Sequence, residues 1–363
     1  MININGGGDY SSPHNSRKKN MHNCFRPGKI WFDTDGKRIH AHGGSILFAE
    51  GKYWWYGENK EGIYGYAMGE RCPYWHHGVK LYSSVDLYNW TDEGFCVQES
   101  DDEDNPFHPK NIMDRPHILF NEKTENYVLW AKTVQSGDFL TCKFSVCVGK
   151  SLKNMRFLKE VDPTPHHAGD FDMFVYKGVA YVLYENPHSE LVVRELSEDY
   201  TDVTEIYSTH FYAPCPPLVR EAPAVFERKG RLYMLTSGTT GYFPNPTEVA
   251  DITNIHGEWI NLGKACVDDK NNNSFHAQFS SVFQYPIKKD VYIALGDRWL
   301  NDLTEDLPDM CDAFYKVFGP NPQPVDMTGF TEENTDAATY VWLRVYFDEQ
   351  DKPYLRWERV WSI

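Results

Sequence analysis

The sequence predicts an all-β protein, a five-bladed β-propeller, on three observations. A strand–turn–strand unit with a leading tyrosine recurs five times along the 363 residues. Turn-forming residues separate the strands inside each unit. Sustained helical periodicity is absent. The first unit is GGSILF, the turn AEGK, then YWWYG at 53–57. The second is RPHILF, NEKTEN and YVLWAK from Tyr127; the third is FDMFVY, KG and VAYVLYEN around Tyr181. The fourth is APAVFE, RKG and RLYMLTSG around Tyr233; the fifth is SSVFQY, PIKKD and VYIALGDRW around Tyr292. The tyrosines step by 74, 54, 52 and 59 residues, the length of a four-stranded blade. Further β-like segments such as 79–90 and 191–196 follow the hairpins. Segment 339–361 has no hairpin after it, and it supplies outer strands to the fifth blade and helps close the ring. Two packed β-sandwiches are the alternative, and five similar units favour the propeller. Residues 1–27 read as a flexible leader and residues 28–363 as one propeller domain.

Composition excludes several function classes. The net charge of −16 and the lack of a basic stripe argue against a nucleic-acid partner. No apolar run reaches transmembrane length, so no membrane partner is expected. The first twenty residues lack the apolar stretch of a secretory signal, which predicts a cytoplasmic protein or a trimmed mature form. Eight cysteines are scattered with no CxxC pair, as for buried free thiols rather than a zinc site. His76–His77 and His166–His167 are adjacent pairs that point to opposite strand faces, poor geometry for a metal. The 11 Trp, 23 Tyr and 21 Phe fill a core or offer flat faces to sugar rings.

Polar residues stand at matching places in the five units. His42, Asp114, Asp170 with Asp172, Glu221 and Gln278 precede the first strand of each hairpin, 11 to 14 residues before its tyrosine except for the nearer Asp172. In a propeller the innermost strands ring a central channel, so these groups converge on one face. Carboxylates around a cleft suit glycoside cleavage: one protonated acid, a second group activating water, and a third carboxylate raising the acid's pKa by like-charge repulsion. Loop 61–79 is a candidate subsite wall. Loop 237–246 offers Thr239 or Thr240 to sugar hydroxyls, and Trp299 stacks or packs.

At these residues the sequence resembles glycoside hydrolase family 43, and within it the exo-β-1,3-galactanase group, subfamily 24. The resemblance runs from about Trp31 to the C-terminus. It rests on WFDTDGKRIHAHGGSILFAEGKYWWYGENK (31–60), DRPHILFN (114–121), GDFDMF (169–174), REAPAVFERKGRLYMLTSGTTGYFPNP (220–246), FHAQFSSVF (275–283) and LGDRW (295–299). It implies that Glu221 is the general acid and that Asp170 tunes and orients it. The usual first-blade Asp base is missing from Ala41-His42-Gly43-Gly44, and Gln278 takes the position that holds the water. Glu58 contacts a sugar hydroxyl. Asp114 stands where the group has Glu, about one methylene shorter. Asp172, on the same strand face as Asp170, shares or takes its role. The implied activity is exo-acting, inverting release of terminal galactose from β-1,3-galactan or galacto-oligosaccharides. No cofactor is implied, although some members hold a structural ion in the channel. A β-xylosidase or α-L-arabinofuranosidase, or a sugar-binding propeller that no longer cleaves, are the alternatives. A phosphorolytic enzyme would need Arg, Lys or His clustered near the acid, and the sequence shows no such cluster.

Overall fold

The computed structural model describes residues 22–64, 72–135, 141–303, 309–325 and 334–363. Five antiparallel sheets are arranged as blades. Blade I comprises β1 (His42–Ala49), β2 (Lys52–Glu58), β3 (Val79–Ser84) and β4 (Thr91–Val97). Blade II comprises β5 (Ile112–Asn121), β6 (Asn126–Val134), β7 (Lys143–Gly149) and β8 (Arg156–Val161). Blade III comprises β9 (Phe171–Tyr176), β10 (Val179–Asn186), β11 (Glu190–Leu196) and β12 (Val203–His210). Blade IV comprises β13 (Arg220–Arg228), β14 (Arg231–Gly238), β15 (Glu248–Asp251) and β16 (Ile260–Lys264). The short β17 (Cys266–Val267) then leads into blade V, made of β18 (Gln278–Gln284), β19 (Tyr292–Arg298), β20 (Thr339–Phe347) and β21 (Pro353–Arg356). The innermost strands β1, β5, β9, β13 and β18 contact one another in a closed cycle, so their leading ends share one face.

Local sequence explains the hairpins. Glu50-Gly51, Lys177-Gly178 and Lys229-Gly230 all take positive φ, the two-residue turn whose twist matches the strands it joins. Packing explains the ring. Each large apolar cluster lies between two neighbouring blades. One joins blade II to blade III through Trp130, Phe144, Phe171 and Tyr184, and another joins blade IV to blade V through Phe226, Tyr233, Tyr292 and Val341. The seam between blades V and I is the most aromatic, with Phe25, Trp55, Trp90, Trp342 and Trp361 buried together and Trp31 packed against them.

Segment 339–361 supplies β20 and β21, and β17 adds an edge strand parallel to β21. Two differences from the sequence reading stand out. Phe25, placed in the leader, is buried, and its amide bonds to the Trp361 carbonyl across the seam. The propeller's hold on the chain therefore begins before residue 28, while residues 1–21 lie outside the described residues. Between β19 and β20 the chain also forms a helix, α1 (Met310–Phe318), capped by the Asp309 side chain. With Trp299, Phe243 and Ala338 it builds a small apolar cluster beside the channel mouth.

Candidate active site

Four of the five inner strands break their register just past the predicted polar residue. The breaks fall between His42 and Ser45, Asp114 and His117, Glu221 and Ala224, and Phe279 and Ser281. Arg115 and Ala222 adopt φ of 55° and 49° in these bulges. A bulge re-aims the side chains beside it, and here it turns them into the channel mouth.

Glu221 on β13 is buried, and its Oε1 accepts a hydrogen bond of 3.0 Å from Gln278 Nε2. Burial drives its carboxyl well above the ordinary range, and the charges of Asp170 and Glu185 push it further against the pull of Arg115 and Lys132. Glu185 itself is pushed up to about 7, chiefly by burial. Asp170 behaves in the opposite way. Burial alone would raise it, but Arg115 and Lys132 outweigh burial and hold it well below the carboxylate range. Arg115 Nε and Nη2 lie 3.0 and 2.9 Å from Asp170 Oδ2, and Lys132 Nζ lies 3.0 Å from Oδ1. The surroundings thus push the two carboxyls in opposite directions, Glu221 up and Asp170 down, the kind of split that separates an acid from its partner.

Gln278 joins this pair to the rest of the mouth. Its Oε1 accepts from Arg115 Nη2 and from Trp299 Nε1 at 3.0 Å, and its Nε2 donates to Glu221 and to Ser237 Oγ at 2.9 Å. Two obligate donors on one side fix which end of the amide is oxygen. All four hydrogen-bonding positions of Gln278 are filled by protein.

The leading polar residue of the first blade is held by protein. His42 Nδ1 lies 2.7 Å from Asp297 Oδ1, its ring stacks on Tyr340, and the Gly43 amide donates to the other Asp297 oxygen at 2.9 Å. Glu58 pairs with the fully buried Lys60 at 2.8 Å and accepts from the Arg115 amide at 3.0 Å. Asp114 pairs with Lys132 at 3.0 Å and retains 19% side-chain exposure. Burial would raise Asp114, but Lys132 and Lys60 outweigh burial and lower it.

The structure brings together Glu221, Asp170, Gln278, Trp299, Asp114 and Glu58 through one connected set of contacts. It separates two others. Asp172 sits one pleat deeper, where its carboxylate accepts the amides of Val225 and Met173 at 2.7 Å each and lies 3.2 Å from His117. Burial pushes it up to about 7. It is anchored to β13 and does not share Asp170's contacts. Thr239 is the other: its hydroxyl is buried and donates to the Val219 carbonyl at 2.9 Å, so its proton is already committed within the protein. Thr240 likewise donates to Phe243. Of the proposed subsite wall 61–79, residues 65–71 lie outside the described residues.

Sequence reasoning missed Arg115, Lys132 and Lys60, and the expectation of no basic cluster near the acid is wrong. The three cations do gather there, but each is matched by a carboxylate: Asp170, Asp114 and Glu58. The available signal was Arg115 in the second-blade segment and Lys60 two residues beyond Glu58. Among the described residues no three His, Cys, Asp or Glu side chains are grouped to hold a metal, and no helix there is long and apolar enough to cross a membrane.

A buried carboxyl raised by its surroundings and bonded to Gln278, at the channel mouth of five radial blades, is an arrangement suited to glycoside cleavage. The description "Glycosyl hydrolases family 43" matches residues 44–303, most of the chain, and the protein belongs to that family. Solved structures of similar fold include two family 43 β-1,3-galactosidases. One is 24% identical over 94% of this chain and 64% of its own, with a TM-score of 0.77. The other, solved with galactodeoxynojirimycin, is 27% identical over 93% of this chain and 100% of its own, with a TM-score of 0.75. An exo-β-1,3-galactanase from Phanerochaete chrysosporium, solved with β-1,3-galactotriose, is 20% identical over 94% of this chain and 68% of its own, with a TM-score of 0.74. The chain thus spans under two thirds of the first relative's length. No curated protein sequence matches.

Proposed function

We propose that the protein is an exo-acting, inverting glycoside hydrolase that releases terminal galactose from β-1,3-galactan or its oligosaccharides. The observation that carries this reading is Glu221, buried at the channel mouth and bonded to Gln278, with burial, Asp170 and Glu185 all raising its carboxyl while Arg115 and Lys132 lower Asp170. Glu221 gives its proton to the glycosidic oxygen as the bond to the anomeric carbon breaks. Water adds to that carbon from the opposite face, sheds a proton to solvent, and Glu221 is recharged from solvent. Asp170 adds to burial in raising the acid's pKa and orients Arg115. Gln278 holds the water, for which one of its four contacts must give way. The neutral one to Ser237 Oγ is the cheapest to exchange. Asp114, the most open carboxylate of the mouth, and Glu58 grip sugar hydroxyls, and Trp299 covers Arg115 at 5.6 Å. The sugar is read from relatives solved with galactodeoxynojirimycin and β-1,3-galactotriose. The reaction consumes water and needs no cofactor.

Product analysis on β-1,3-galactobiose and galactotriose tests the reading. Wild type releases galactose, and Glu221→Gln slows release by about 10²–10⁴-fold. Turnover of a xyloside or arabinofuranoside in its place moves the sugar and keeps the acid. One observation favours a second reading, a propeller that binds sugar without cleaving it: blade I presents His42 locked to Asp297, and Gln278 is fully engaged. Galacto-oligosaccharide binding with no product from any glycoside would establish that alternative.

A further inference from the structure

A second cleft opens on the same face, on the outer side of blade V. Its volume is about 640 Å³, within the range of small-molecule sites. One wall is the loop from β17 to β18, and the other is formed by the ends of β19 and β21. The cleft adjoins the catalytic mouth without belonging to it. His276 and Arg298 line it, whereas Gln278, two residues on, and Trp299, the next residue, face the mouth.

Three features suit a ligand. The first is Trp357 at the end of β21, which lines the cleft and remains 38% exposed. Phe275 lies 5.8 Å from the ring centroid and the Arg298 guanidinium 5.8 Å from it, so the indole is held in place. A braced, part-exposed Trp is an amphipathic platform for a sugar ring. The second is the polar rim. Asp268, Lys270 and Asn271 line the cleft, and among the described residues no side-chain hydrogen bond engages them. The third is the loop itself. Asp268, Asn272, Ser274, Phe275 and His276 all adopt φ between 52° and 61°, a conformation that costs stability at every non-glycine position. The loop is nevertheless pinned. Asp269 accepts the amides of Asn273 and Ser274 at 2.8 and 2.6 Å, Ser274 Oγ donates to Asn245, and Arg298 donates to the carbonyls of Phe275 and His276. The wall is therefore preformed.

We propose that this cleft binds carbohydrate: a stretch of galactan other than the chain being cleaved. The identity of the polymer rests on the reading of the catalytic site given above. The direction of cleavage separates the two stretches. On that reading the leaving oxygen is the one Glu221 of blade IV protonates, whereas the cleft lies on the far side of Gln278, on blade V. A branch or neighbouring chain held there keeps the enzyme on the polymer between cleavages.

Kinetics on two substrates test the proposal. A nitrophenyl β-galactoside needs only the mouth, whereas soluble β-1,3-galactan uses both sites. Trp357→Ala leaves kcat/KM on the nitrophenyl galactoside within about twofold and raises KM on galactan roughly five- to tenfold. Trp357→Phe restores most of the loss. The exposed double variant Lys270→Ala/Asn271→Ala moves KM in the same direction by about twofold, which guards against a folding defect in Trp357→Ala. An unchanged KM on galactan, or equal losses on both substrates, overturns the proposal. Affinity electrophoresis in galactan gels, comparing Glu221→Gln with Glu221→Gln/Trp357→Ala, reads the cleft without turnover. Retardation weakened by the second substitution supports the cleft even if no galactoside is cleaved, and equal mobility rejects it.

Discussion

Blades I and IV deliver a side chain to the channel mouth by the same device and obtain opposite chemistry. Each inner strand breaks register after its leading polar residue, and each has a left-handed residue next, Gly43 in one and Ala222 in the other. In blade IV the side chain so placed is Glu221, among carboxylates and bonded to the neutral amide of Gln278. In blade I it is His42, held by Asp297 and stacked on Tyr340. The scaffold sets position, and the neighbours set reactivity. A propeller can therefore silence one of its five entry points, as at His42, without moving a strand.

The comparison breaks first if the charge around Glu221 is changed. Asp170→Asn removes the negative charge that helps keep Glu221 protonated and leaves Arg115 and Lys132 without it. Activity on a galactoside is expected to fall about 10²-fold, and the alkaline limb of kcat/KM to move to lower pH. A profile that keeps its alkaline limb would detach Asp170 from the acid.

A smaller effect lies in stability. Glu221 has an ordinary value of 4.5 and is raised in the fold. Below that pH the carboxyl is protonated in both the folded and unfolded chain, and it adds nothing. Above it, the unfolded chain ionises while the folded site holds its proton, so the folded state loses about 1.4 kcal/mol of relative stability per pH unit until the folded pKa is reached. Glu221→Gln abolishes this loss. Its Tm is expected to match wild type near roughly pH 4 and to exceed it increasingly towards neutrality. Parallel curves would show that the acid is not raised.

The smallest effect sharpens the contrast between the two bulges. A Cβ on Gly43 would lie 2.3 Å from Glu58 Oε1, at a φ of +63°. Gly43→Ala is expected to cost about 1–3 kcal/mol in chemical denaturation. Ala222→Gly, at a similar φ, relieves strain and is expected to change stability by less than about 1 kcal/mol.

The hairpins were legible because a strand's period and its turn residues are local: Lys177-Gly178 and Lys229-Gly230 announce their turns within a few positions. The polar ring was legible for the same reason, since Asp114, Glu221 and Gln278 hold equivalent places in repeated units. Their partners were not. Arg115 bonds Asp170 and Gln278, 55 and 163 residues away, and His42 meets Asp297 at a separation of 255. Such pairings depend on how neighbouring blades are spaced around the channel, which no local pattern encodes. The inward turn of Thr239 escaped likewise, because Val219, its acceptor, lies on the approach to β13 rather than in the same loop. Helix α1 is short and flanked by polar sequence, so its periodicity did not stand out.

The aromatic seam has a practical consequence for anyone watching this protein unfold by light. Five of its 11 tryptophans – Trp31, Trp55, Trp90, Trp342 and Trp361 – sit where the last blade meets the first, within one packed cluster. Intrinsic emission is therefore weighted towards that junction, and a fluorescence transition reports first on whether the two ends of the chain still grip each other. Circular dichroism or a bound ligand would be needed to follow the remaining blades, and a lag between the signals would time the opening of the ring.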